Sequence, residues 1–103
     1  MIRLRHKYHA KPITCDGIKF SSKREASYYC KLRGLKAGGA ILVFLRQVPF
    51  HLPGGVRFVI DFVEFWANGD VRFMDTKGFK TESYKAKKRM VEYLYSPIQI
   101  EEA

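Results

Sequence analysis

The chain has 103 residues, of which 47% are hydrophobic and 15% aromatic, and its formal net charge is +9. This hydrophobic content excludes an intrinsically disordered segment, and the length fits one domain with a single core. The excess of positive charge indicates a polyanionic partner, with nucleic acid as the first expectation and an anionic membrane surface as the second. The longest apolar run, residues 40–45, is far too short to span a bilayer.

The number of cysteines and the sequence of residues 1–9 indicate the cellular compartment. Cys15 and Cys30 are too few for a disulfide scaffold, and residues 1–9 are basic without the apolar stretch of a signal peptide. Together with His6 and His9 the cysteines could nominally form a zinc site, but their spacing is not that of a zinc finger. We therefore expect a cytoplasmic protein.

We predict a single domain over residues 1–103. Its first part, residues 1–12, is a basic arm. Ser22 and Glu25 form an S-x-x-E capping box, which predicts the start of a helix. The helix is expected to run to about Ala37, because two glycines follow it and glycine readily adopts the left-handed conformation that ends helices.

The rest of the chain is predicted to form three strands, a second helix and a last short strand. Turn residues separate segments rich in β-branched and aromatic residues, which predict strands over 40–52, 56–66 and 70–77. An amphipathic helix is predicted over 83–95, and a short strand over 98–100. The order α-β-β-β-α-β predicts a small α/β domain with a mixed central sheet.

The turn at residues 67–69 decides which residues of the second and third strands lie opposite each other. A two-residue loop would pair Asp61 with Thr76. A three-residue loop with Gly69 in the left-handed conformation instead matches apolar with apolar residues and charge with opposite charge. The pairs of that register are Val63 with Phe73, Phe65 with Val71, and Glu64 with Arg72. We predict the three-residue loop, which places Asp61 directly across from Asp75.

Asp61 and Asp75 would then share a half-buried sheet face. Two aspartates about 5 Å apart repel each other unless a positive group lies between them, and Mg²⁺ prefers such hard oxygen ligands. Lys77 projects in the same direction as Asp75 and could orient a water molecule or stabilise charge on a phosphate. Each residue alone could belong to a structural ion-pair network, but together they predict a metal site.

Glu25 is a third carboxylate with two interpretations. The capping box alone accounts for it without any catalytic role. It also lies on the helix face of Tyr28, Tyr29, Leu32 and Leu35, whose spacing predicts that the face points inward. This apolar setting favours a role shared between helix cap and metal site.

These residues resemble the PD-(D/E)xK nuclease superfamily. Glu25, then Ile60-Asp61, then Asp75-Thr76-Lys77 follow its E…(P)D…(D/E)xK pattern. The surrounding segments are similar to small phage-type endonucleases related to Holliday-junction resolvases of archaeal and phage type: Asp16–Ala26, Asp61–Val63, Asp75–Gly78 and Tyr84–Lys88. The resemblance covers about residues 17–95 and implies a restriction-endonuclease-like core. Ile60 replaces the proline of the motif, and Met74 stands where close relatives are expected to have an acid.

The resemblance implies Mg²⁺- or Mn²⁺-dependent hydrolysis of a DNA phosphodiester, with one or two ions per active site. Glu25, Asp61 and Asp75 would bind the metal together with the Thr76 carbonyl oxygen, and Lys77 would assist the attacking water. The three acids and Lys77 form the expected catalytic set. A phage-encoded protein of this kind would act in the host cytoplasm.

The expected partner is branched DNA, specifically a four-way junction, with no membrane and no small-molecule substrate. The candidate DNA-binding residues are Ser22, Lys23, Arg24, Lys80, Lys85, Lys87 and Lys88, together with Arg3, Arg5, Lys7 and Lys11 of the arm. For Ser22 the helix cap is the simpler interpretation. A junction needs two symmetric nicks, so a homodimer is expected. Candidates for its interface, equally well explained as core, are Phe44, Phe50, Trp66, Tyr93 and Tyr95.

Two other functions stay open at this point. A general or flap DNA nuclease would use the same chemistry on a different substrate. A non-catalytic nucleic-acid-binding domain would keep Asp61 and Asp75 only as members of a polar network. The placement of Lys77 two residues after Asp75 favours a nuclease, because a binding domain does not need that spacing.

Overall fold

A computed structural model describes residues 13–77 and 80–103. The basic arm with Arg3, Arg5, Lys7 and Lys11 therefore lies outside the described residues. In chain order the elements are β1 (Ile13–Cys15), β2 (Ile18–Phe20), α1 (Lys23–Ala37), β3 (Ile41–Leu52), a 3-10 turn (Pro53–Gly55), β4 (Val56–Trp66), β5 (Val71–Asp75), α2 (Glu82–Leu94) and β6 (Ile100–Glu102). The chain is thus a small α/β protein, as predicted. Neither helix of the described residues is long and apolar enough to cross a membrane.

The main sheet is mixed and has the strand order β3-β4-β5-β6. The first two neighbouring pairs are antiparallel, and β6 is parallel to β5. The last strand begins later than the predicted 98–100, because the turn after α2 closes with a hydrogen bond from the Ile98 N–H to the Tyr95 carbonyl.

Two hydrophobic clusters hold the helices against the sheet. The cluster beneath α1 contains Leu32 together with Phe62 and Met74 of the sheet, and the cluster beneath α2 contains Val91 together with Val63. Adjacent strand residues such as 62 and 63 point to opposite faces. The two helices therefore cover opposite faces of the sheet.

The structure adds a β-hairpin that the sequence analysis did not predict. β1 and β2 pair antiparallel through a two-residue loop, in which Asp16 has φ of 55° and Gly17 has φ of 76°. The Asp16 carboxylate accepts a hydrogen bond from the Tyr29 hydroxyl and pairs with Arg33, which fastens the hairpin to α1. An Asp-Gly dipeptide is a strong hairpin signal, and it could have predicted this element.

The register between β4 and β5 confirms the predicted three-residue loop. Val63 lies opposite Phe73, Glu64 opposite Arg72 and Phe65 opposite Val71. Gly69 has φ of 98°, and the Trp66 N–H donates to the Asp70 carbonyl at 2.8 Å. The ladder runs back to Phe62 and Met74, and the next position places Asp61 across from Asp75.

Glu64 and Arg72 lie opposite each other as predicted, but they do not form an ion pair. Arg72 forms its ion pair with Glu101 of β6, with Nη2 2.6 Å from Oε1. Glu64 is fully buried and accepts hydrogen bonds from the Tyr28 hydroxyl and from Trp66 Nε1, the latter at 2.9 Å. This carboxylate is therefore held by donors of the α1 face.

Candidate active site

The predicted metal-binding and catalytic residues other than Asp75 line one cavity of about 170 Å³. Its walls come from the start of α1, from β4 and from the end of β5: Ser21, Ser22, Glu25, Asp61, Thr76 and Lys77. Asp75 is not among the lining residues; it is completely buried beside Lys77, which does line the cavity. The order of elements thus brings together four side chains that are up to 52 positions apart in the sequence.

Asp75 is the least satisfied group of the site. Among the described residues, neither of its carboxylate oxygens has a partner in hydrogen-bonding geometry, and the nearest cation, Lys77 Nζ, is 3.7 Å from Oδ1. Burial, reinforced by the neighbouring Asp61, raises the pKa of Asp75 to about 7. Within the described part of the chain, the buried hydroxyl of Tyr84 also lacks a partner in hydrogen-bonding geometry, although it is close enough to Asp75 to lower the pKa of that carboxyl slightly against the effect of burial. Because an unpaired buried carboxylate is costly in its charged form, this position favours either a retained proton or a bound cation.

Asp61 has the opposite electrostatic setting. Its Oδ2 accepts hydrogen bonds from the Thr76 N–H at 2.9 Å and from Thr76 Oγ1 at 2.7 Å. Burial raises the pKa of Asp61, but its interactions with Asp75 and Thr76 outweigh burial and hold the pKa below its usual value. The two aspartates therefore differ in charge: Asp61 keeps the negative charge and Asp75 retains a proton more easily.

Glu25 serves the site with its side chain and the helix with its backbone. Its N–H donates to Ser22 Oγ at 3.1 Å, which confirms Ser22 as the helix cap. The carboxylate is turned toward the cavity, where it accepts from Ser21 Oγ at 3.4 Å, Arg46 Nη2 at 3.3 Å and Gln47 Nε2 at 2.9 Å. The capping box thus explains the backbone of Glu25 but not the placement of its carboxylate.

Arg46 and Gln47 of β3 are site residues that the sequence analysis missed. Gln47 Nε2 donates to Glu25 and also to Asp61 Oδ1, at 3.3 Å. Gln47 has φ of 53° although it lies within a strand, between the paired positions Arg46 and Val48. The register of β3 against β4 places it opposite Asp61. The turn signal at 53–55 could have fixed that register from the sequence, but not the left-handed conformation.

The donor set fits Mg²⁺ in its chemistry. Asp61, Asp75 and the Thr76 carbonyl supply hard oxygens at neighbouring positions, and the oxygens of Asp75 lack partners. Within residues 13–77 and 80–103, however, no three His, Cys, Asp or Glu side chains stand close enough together to hold a metal ion. Glu25 is engaged by Arg46 and Gln47, so it would join a metal site only after those contacts open.

The predicted DNA-binding residues that the structure describes differ in whether they form ion pairs with acidic side chains. Lys23 and Arg24 are exposed in the first turn of α1 beside the cavity, where Arg24 donates to the Ala103 carbonyl at 3.2 Å. The lysines in ion pairs are Lys80 and Lys88 with Glu102, at 3.6 Å and 3.0 Å, and Lys85 with Glu82, at 3.4 Å. Lys23 and Lys87 have no acidic partner among the described residues.

The aromatic residues considered for a dimer interface are mostly accounted for by the core. Phe50 is buried, and Phe44, Trp66 and Tyr95 pack against the two core clusters. Tyr93 is 82% exposed. Tyr93 is therefore the aromatic candidate that stays accessible to a second copy.

A comparison with protein-family models matches residues 5–102 to DUF1064, described as a protein of unknown function. No curated protein and no solved structure matches the chain. Because the family model spans nearly the whole sequence, the chain belongs to the DUF1064 family.

Proposed function

We propose that the chain is a metal-dependent DNA endonuclease whose substrate is branched DNA, with the four-way junction as the expected form. The observation that carries the proposal is the convergence of Glu25, Asp61 and Lys77 on one cavity, next to a fully buried Asp75 that has no hydrogen-bond partner among the described residues. A structural ion-pair network would satisfy that carboxylate.

The described side chains have distinct roles in this chemistry. Glu25, Asp61 and Asp75, with the Thr76 carbonyl, would hold one or two Mg²⁺ or Mn²⁺ ions, which lower the pKa of bound water and neutralise charge on the phosphate. Thr76 fixes the orientation of Asp61 through two hydrogen bonds. The ammonium group of Lys77 lines the cavity and is partly exposed, so it can donate to a phosphate oxygen or to the attacking water.

The surroundings of the cavity favour a phosphate ligand. Helix α1 begins at the cavity wall, where its N–H groups and the positive end of its dipole attract anions. Exposed Lys23 and Arg24 lie in the same turn, and the chain as a whole carries a net charge of +9. Contacts of this kind recognise the DNA backbone rather than a base sequence, which suits a substrate defined by its branched shape.

A junction nuclease must cut two strands that are related by symmetry. Each chain presents one cavity with the proposed catalytic set, so paired nicks require two copies. The proposal therefore includes a homodimer. DNA binding should weaken steeply with added salt, because phosphate contacts release counterions.

The test is cleavage of a labelled four-way junction beside linear duplex of the same sequence, in Mg²⁺ or in EDTA. We expect paired nicks at the junction in Mg²⁺ and none in EDTA. Asp75→Asn should lower the rate by about 10³-fold or more, since a lost metal ligand removes several kcal/mol of transition-state stabilisation. Glu64→Gln is the matched control, because Glu64 is equally buried but lies away from the cavity lining; its rate should stay within a few-fold of the wild type.

Other outcomes separate the competing functions. Equal cleavage rates on junction and duplex would favour a general or flap DNA nuclease, which uses the same chemistry on a different substrate. Tight DNA binding without cleavage in Mg²⁺ or Mn²⁺ would contradict the nuclease and leave a DNA-binding domain.

A further inference from the structure

The amide of Gln47 lies between two carboxylates of the site. Its Nε2 donates to Glu25 Oε2 at 2.9 Å and to Asp61 Oδ1 at 3.3 Å. Arg46 adds a positive charge to the same Glu25 oxygen, with Nη2 at 3.3 Å. The oxygens that would face a divalent cation are therefore in contact with protein donors.

The backbone of Gln47 indicates that this contact is specifically built. A glutamine with φ of 53° is in the left-handed region, which favours glycine and asparagine. Such a conformation persists where the surroundings impose it, and it is enriched at functional sites. Here it occurs opposite Asp61, between residues that are in regular strand pairing with β4.

The contact is also one that can open. Gln47 is exposed on β3, which is an edge strand of the sheet, so its amide can turn into solvent without disturbing the core. Arg46 is less free, but in the part of the chain that the structure describes its buried Nε lacks a hydrogen-bond partner, so its guanidinium is only partly satisfied.

We propose that Gln47, assisted by Arg46, acts as an internal substitute for the divalent cation and thereby sets the metal affinity of the site. The inference rests on the proposed function, since it concerns the same carboxylates. Interactions that exist only in the metal-free state must be broken before metal binds, and they weaken the apparent affinity accordingly. Gln47 is thus a positioning residue, and removing its amide should tighten metal binding.

The experiment is calorimetric titration of the full chain with Mn²⁺ and with Mg²⁺, without DNA. Gln47→Asn tolerates the left-handed conformation, but its side chain is one methylene shorter and cannot span Glu25 and Asp61. Gln47→Gly tolerates the conformation as well and removes the amide altogether. Both variants should bind the metal about tenfold more tightly than the wild type, because a hydrogen bond to a charged group is worth about a factor of ten. Gln99→Asn, an exposed glutamine outside the site, is the matched control and should bind as the wild type does.

A second measurement does not depend on the titration. The rise in unfolding temperature on adding Mg²⁺ should be larger for Gln47→Asn than for the wild type, since tighter binding to the folded state stabilises it more. If Gln47 had a purely structural role, Gln47→Asn would lower the unfolding temperature by the same amount with and without Mg²⁺, and the rise on adding Mg²⁺ would equal that of the wild type.

The outcomes distinguish the inference from the proposed function. If the wild type binds metal and both Gln47 variants bind it no more tightly, the inference alone is overturned. If neither the wild type nor the variants bind Mg²⁺ or Mn²⁺, the proposed function fails and the inference fails with it. Detectable binding in the variants alone would support both.

Discussion

Two carboxylates of the sheet, Glu64 and Asp75, are completely buried, but they differ in their hydrogen-bond donors and in the charges near them. Glu64 on β4 accepts hydrogen bonds from Tyr28 and Trp66. Asp75 on β5 accepts none from residues 13–77 and 80–103, and the nearest cation in those ranges is 3.7 Å away on the partly exposed Lys77. Burial by itself therefore says little about the role of a charged residue. The partners differ: donors satisfy the carboxylate of Glu64, whereas the described residues offer Asp75 none in hydrogen-bonding geometry, and Asp75 is the one that we propose as a metal ligand.

The charges around the two carboxylates reinforce this contrast. Arg72 lies opposite Glu64 in the register, and burial together with Glu64 raises the pKa of Tyr28, so that Tyr28 stays protonated as a donor. Asp75 instead has another carboxylate, Asp61, as its neighbour, and this raises its own pKa. The surroundings of Glu64 stabilise a negative charge, whereas burial and Asp61 disfavour one on Asp75.

Removing each charge in isosteric form should change stability in opposite directions. In EDTA at pH 8, Glu64→Gln should lower the free energy of unfolding by about 1–3 kcal/mol, because Tyr28 and Trp66 donate to different carboxylate oxygens and the amide keeps only one of them. Asp75→Asn should raise it by up to about 3 kcal/mol, because an unpaired buried charge disappears. Urea denaturation measures both changes. A loss of stability in both variants would contradict the comparison.

The sequence allowed much of this arrangement to be predicted. Alternation along β4 and β5, together with charge and size matching across the turn at Gly69, was enough to place Asp61 across from Asp75. The cap at Ser22 located the start of α1 to the residue. These features depend on local periodicity and local hydrogen bonds, which a single sequence records.

The features that were missed depend on tertiary contacts. Nothing in the local sequence indicates that Gln47 adopts a left-handed conformation or that its amide reaches Glu25 and Asp61. The partners of Glu64 were also unforeseen: Arg72 was expected, but Glu101 of the parallel strand β6 competes for it. A charged side chain selects its partner from every element packed around it, so strand register alone does not fix the pair.

The pH dependence of stability separates the two carboxylates further. The pKa of Asp75 is raised from 3.8 to about 7, so between these values the folded chain keeps a proton that the unfolded chain has lost. The free energy of unfolding of the metal-free protein should therefore contain a part that falls as pH rises from about 4 to about 7, by about 1 kcal/mol per pH unit. Equilibrium denaturation across this range should show that part in the wild type and in Glu64→Gln. Asp75→Asn should lack it, and an unchanged slope in that variant would assign the effect to another group.

The smallest expected effects concern the two tyrosines beside these carboxylates. Tyr28→Phe removes a hydroxyl that donates to Glu64, so it should cost about 1–2 kcal/mol of unfolding free energy. Tyr84→Phe removes a buried hydroxyl that has no partner in hydrogen-bonding geometry among the described residues, so it should change stability by less than about 0.5 kcal/mol. Both substitutions delete one oxygen and keep the ring, so the difference in urea midpoints reports the hydrogen bond itself. Equal losses would mean that the Tyr84 hydroxyl stabilises Asp75 in solution, and the contrast between a satisfied and an unsatisfied carboxylate would then fail.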